Sequence, residues 1–148
     1  MRFSSETKTL SLAVQGYQFP QADAKPDYIH PYDANWLNIL FTLQEENSTF
    51  VQFDPFLTTE EVGKLISWLR SLPNPPYTRI AFTEPSFQME LVDFTTSVFR
   101  IRVHLSLELL PPWVQTADSH SIDFLLTTEQ IQECINSLHK QLQMYPVR

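Results

Sequence analysis

The sequence predicts an α+β domain: an antiparallel sheet of about six to seven strands with two amphipathic helices packed on one face, in the order βββα-ββββα. Three observations carry this. From Val98 to Leu109 (VFRIRVHLSLEL) every odd position is apolar and every even one after Val98 is polar, the period of a strand with one buried face. Thr58-Thr59-Glu60-Glu61 and Thr127-Thr128-Glu129-Gln130 are capping boxes, each opening an amphipathic helix. Asp54 to Val62 (DPFLTTEEV) also aligns without a gap on Asp123 to Ile131 (DFLLTTEQI). That echo fits either a duplicated strand-helix unit or convergence on one cap chemistry. Residues 1–148 suit a single domain around one core.

In chain order, Leu10, Leu12 and Val14 alternate with Thr9, Ser11 and Ala13, a first strand over Thr9 to Gln15. Gly16 and Pro20 then bracket the exit from it. FPQADAKPDYIHPYDAN follows, a proline-broken loop with no apolar period, rich in acidic and aromatic residues: Asp23, Asp27, Tyr28, Tyr32 and Asp33. Long loops of this make-up are either surface excursions or protein-binding surfaces. Trp36 to Gln44 reads as a second strand, and Glu45-Glu46-Asn47-Ser48 as a hairpin into a third, Thr49 to Phe53. Pro55, which cannot donate to a ladder, is expected to end that pairing.

The first helix follows, its stripe Val62, Leu65, Ile66 and Leu69, until Pro73, Pro75 and Pro76 stop it. Strands are then expected over Thr78 to Thr83, Ser86 to Val92, the long Val98 to Leu109, and Ser121 to Leu125. The long strand would run about 35–40 Å through the middle of the sheet, until Pro111-Pro112. The last helix carries Ile131, Cys134, Ile135, Leu138 and Leu142 on one stripe. Cys134 therefore reads as a small core residue.

A hydrophobic content of 43% with 18% charged residues is a globular composition. The net charge of −7 weighs against a phosphate-binding face and favours either simple solubility or a basic partner. The single cysteine allows no internal disulfide. The opening MRFSSETKTLSLAVQ has no apolar run fit for a signal peptide, and no segment approaches the ~20 apolar residues of a membrane helix. A cytoplasmic location without membrane contact is expected.

Chemistry is sparse. With only two glycines, Gly-rich phosphate loops, dinucleotide fingerprints and the G-x-S-x-G elbow are ruled out. The four histidines fall in no HExxH spacing, and no CxxC exists. Asp118, His120 and Asp123 cluster near a loop, where such groups are usually solvated. Glu84, Glu90 and Glu108 either form a carboxylate pair across the sheet or stand as charges on an open face. Arg100, Arg102 and His104 line the polar face of the long strand, toward solvent or a partner. No catalytic, metal or cofactor site is expected.

Gly16-Tyr17-Gln18-Phe19-Pro20, Tyr32-Asp33-Ala34-Asn35-Trp36-Leu37 and Glu84-Pro85 occur in this order, with a capped helix before the last. Together they resemble the WapI-like family of bacterial immunity proteins, from Leu10 to the last helix. The resemblance implies a small non-enzymatic protein that binds and blocks the toxic C-terminal domain of a cognate polymorphic toxin, often a nuclease. An acidic inhibitor would suit a basic toxin domain. Asp33, Asn35 and Trp36 equally suit turn bonds and an edge seal of the core. Candidate partner-binding residues are thus Asp23, Asp27, Tyr28, Tyr32, Asp33, Asn35, Trp36, Glu84, Arg100, Arg102 and His104. The competing readings are a small hydrolase using Glu84, Glu90 or His104, and a structural subunit of a larger assembly.

Overall fold

The computed structural model describes residues 1–20, 30 and 32–148. Strands β1 (Arg2–Ser4), β2 (Lys8–Tyr17), β3 (Trp36–Glu45) and β4 (Ser48–Thr58) form a four-stranded antiparallel sheet in chain order. Helix α1 (Thr59–Arg70) follows. Strands β5 (Arg79–Ala81), β6 (Phe87–Phe94), β7 (Val98–Ser106) and β8 (Ser119–Thr127) form a second four-stranded antiparallel sheet, again in chain order, and α2 (Thr128–Met144) follows it. Both halves therefore read ββββα, and the Asp54 and Asp123 segments are the matching strand-to-helix passages.

The expected single sheet of six to seven strands is thus corrected to two sheets. Period-two patterning tells which face of a strand is buried but not which strand lies beside it. The inner face of the first sheet carries Leu10, Leu12, Leu37, Ile39, Phe41 and Leu43, and that of the second Met89, Ile101, Val103, Ile122 and Phe124, all in one core. Phe3 on β1 meets Phe124 on β8 at 5.5 Å, and Phe56 on β4 meets Phe87 on β6 at 6.0 Å. The helices accordingly do not cover one face of one sheet. They touch each other and add their stripes to a core that both sheets share.

Other strand ends shift by one or two residues, and three differences go further. β1 was not expected, because three residues are too short to show a period. β4 runs through Pro55, which pairs with Asn38. As the edge strand, β4 needs no donor on its outer side, so proline is tolerated there. β7 stops at Ser106, where Leu107 takes φ +50° and starts a 3-10 turn, Leu107–Leu109. The alternation persists past the strand end, but Leu107 is exposed and only Leu109 returns to the core.

Both capping boxes form. Thr58 Oγ1 accepts the Glu61 N–H at 3.3 Å and Glu61 Oε2 accepts the Thr58 N–H at 2.9 Å. Thr127 and Gln130 repeat this with the same distances. They differ in one respect. Glu61 is buried, and its Oε1 also accepts the Thr83 N–H at 2.6 Å. Cys134 is buried on the α2 stripe, and burial pushes its thiol pKa up. We expect Gln130→Ala to cost about 1 kcal/mol and Glu61→Ala about 2–4 kcal/mol, because the latter strands a second backbone donor. Urea unfolding checks this; equal losses would mean that the Thr83 bond adds no stability.

Candidate partner-binding site

Asp23, Asp27 and Tyr28 lie outside the described residues. The remaining motif residues converge at the start of α1. Gln18 N–H donates to the Trp36 carbonyl at 2.8 Å, bringing GYQFP beside YDANWL. Asp33 and Asn35 bound a 3-10 turn, Asp33–Asn35, that leads into β3. Asn35 is buried; its Oδ1 accepts the Arg148 N–H at 2.9 Å, and its carbonyl accepts the Thr59 hydroxyl at 3.3 Å. Arg148 stacks over the Tyr17 ring at 3.5 Å and donates to the Phe19 carbonyl at 2.8 Å. The Tyr17 hydroxyl donates to the Pro146 carbonyl. Tyr32 is 45% exposed, packs edge-on against Trp36, and bonds the Thr83 hydroxyl at 2.9 Å. Two motifs thus clasp the chain's last residues, and Tyr32 reaches toward the third.

Arg100, Arg102 and His104 do share the outer face of β7, engaged by carboxylates on that same face. Register sets Arg79, Glu90, Arg102 and Asp123 side by side across four strands, alternating in sign. Arg102 holds Asp123 through two hydrogen bonds, 2.7 and 2.9 Å. Those bonds hold the Asp123 carboxyl below the usual range. Arg100 pairs with Asp93 at 3.3 Å, and His104 contacts Glu90 at 3.0 Å and Ser121 at 2.9 Å. The Asp118, His120 and Asp123 cluster separates: His120 reaches across to Glu45 at 2.7 Å, linking the two sheets.

The three glutamates split differently from a pair across the sheet. Glu90 stays with His104, whereas Glu84 and Glu108 join Asp54 around a cavity of about 170 Å³, with Ser86 and an apolar lining of Pro55, Phe56 and Leu109. Small-molecule sites are usually about 300–1,000 Å³, so this one suits a single side chain better than a substrate. A wider groove beneath α1 is lined by Trp68, Tyr77 and Ile80 with Lys64 and Arg79, and no carboxylate or histidine among the described residues lines it. Asp54 escaped the sequence reading, although a signal existed. It pairs with Ile39 on the inward face of β4, and a charge at a core-facing position calls for an explanation.

The sequence matches the immunity protein WapI-like family over residues 1–146. The chain belongs to this family. No curated protein and no solved structure matches it. The two longer motifs that carried the resemblance pack the corner between α1, β3 and residues 146–148. No helix among the described residues is long and apolar enough to cross a membrane.

The Arg102–Asp123 pair carries a pH signature. A carboxyl whose pKa is lowered by folding adds stability above its unfolded value of about 3.9, and that stability is lost as pH falls through the folded value. Asp123→Asn is therefore expected to lower the urea midpoint near neutral pH. Its gap from the parent should close as pH falls below about 4. A gap that stays constant into strong acid would show that charge plays no part in the pair.

Proposed function

We propose that this protein neutralises a cognate toxin by binding its toxic domain, without catalysis of its own, in the cytoplasm. Membership of the WapI-like family over nearly the whole chain carries the reading, and the physical chemistry supports it. A chain of net charge −7 attracts a basic protein and speeds encounter with it. A nuclease is the kind of toxin this charge suits, since its cleft is built for phosphate and an acidic inhibitor competes for the same basic groups. Aromatic residues at the surface, Tyr32 among them, are the usual anchors of such an interface.

The acidic loop is the part of the proposed interface that can be tested directly. A tagged form of the protein is expected to capture one stoichiometric basic polypeptide from its source cells, released by high-salt washing. Reversing Asp23, Asp27 and Asp33 to Lys should weaken binding of that polypeptide by about tenfold or more and flatten its salt dependence. Unchanged binding in the triple variant would exclude the loop. Failure of the purified pair to rescue cells expressing the captured domain would overturn the immunity reading.

A further inference from the structure

We infer that the cavity formed by Asp54, Glu84 and Glu108 is a socket for an arginine side chain of the toxin domain; this rests on the function proposed above. The three carboxylates come from separate segments: the edge strand β4, the turn before β6, and the 3-10 turn after β7. Among the described residues no lysine or arginine lines the cavity to neutralise them. Three carboxylates around one opening favour a cationic guest over a neutral or anionic one.

Ser86 points the same way. It is only 1% exposed and lines the cavity. Its hydroxyl has no hydrogen-bond partner among the described residues. Every sealed side-chain polar atom among them is partnered, so this one opens into the cavity. A buried, unpartnered hydroxyl in the lining offers an acceptor to a further N–H donor.

The dimensions and lining select the class of cation. Among the described residues no three His, Cys, Asp or Glu groups could hold a metal ion, so the cation considered is a side chain. An arginine fits better than a lysine. Its five N–H donors in a planar fork can serve several acceptors at once, where a lysine offers three from a single nitrogen. The walls are fixed in advance. The Pro85 carbonyl accepts from Ser106 Oγ at 3.0 Å and Gln88 Nε2 at 3.3 Å, while Thr83 is held by Glu61. Left-handed Leu107 sets Glu108 at the rim with its own side chain turned to solvent. Such preorganisation lowers the ordering cost of binding.

The test compares two variants of equal net charge: Asp54→Asn/Glu84→Gln/Glu108→Gln, and Glu6→Gln/Glu60→Gln/Glu133→Gln at exposed sites elsewhere. Binding to the purified toxin domain is measured by calorimetry at low and high salt, beside urea unfolding of each variant. The cavity variant is expected to bind at least about tenfold more weakly, with a urea midpoint equal to or above the parent's. The control variant should lose much less. Equal losses in the two variants, or a cavity variant that binds like the parent, overturn the socket and leave the immunity reading intact. Weak binding accompanied by a fallen midpoint assigns the carboxylates to structure and likewise overturns it. No binding by the parent overturns both.

Discussion

The buried Glu61 carboxylate is the interaction on which the rest of the corner depends. One oxygen closes the cap of α1 on the Thr58 amide, and the other takes the Thr83 amide from the turn between β5 and β6 of the second sheet. A buried carboxylate is costly unless hydrogen-bonded, and here backbone donors at a helix N-terminus meet it. The next turn of chain, Glu84 to Ser86, is placed by this bond. Tyr32 reaches the same Thr83 through its hydroxyl, and Thr59, beside the cap residue, holds Asn35. One side chain thus ties the end of the first sheet to the start of the second.

This explains how much of the molecule could be read in advance. The strand faces and both helices were legible because burial imposes a period on the sequence, and the caps because their residue types follow from geometry. Partition into two sheets was not, since no local pattern records which strand is a neighbour. The alternation of β7 even misled past Ser106, where a left-handed Leu107 ends the strand without breaking the pattern. The candidate site was legible in pieces. Glu84 and Glu108 stood out as carboxylates, but their meeting with Asp54 depends on how the two halves close over Phe56 and Phe87.

The two halves share an order of elements and differ in their outer faces. The second sheet presents its alternating row of Arg79, Glu90, Arg102 and Asp123, each charge beside its opposite. The first presents Ala13, Leu40 and Phe53 in one row, with Val51 next to Phe53 on the edge strand and Phe53 57% exposed. A surface whose charges pair internally contributes solubility and has little net field to offer a partner. The acidic excess of the chain must therefore act from elsewhere, and the Asp54, Glu84 and Glu108 cavity is one place where carboxylates meet with no base among the described lining residues.

Net charge and local charge then do different work. A total of −7 raises the encounter rate with any basic protein, and salt screens that attraction over about 8–10 Å. It cannot by itself distinguish one basic partner from another. Discrimination requires a place where the right group is satisfied and the wrong one leaves buried polar atoms unpaired. The proposed socket would meet that requirement through the buried Ser86 hydroxyl and three carboxylates beside backbone that is already hydrogen-bonded. A lysine would fill the charge but leave acceptors unserved, and an apolar residue would strand all three carboxylates. If the cavity seats an arginine as proposed, a weakly specific acidic surface gathers basic partners while a small cavity with fixed walls decides among them.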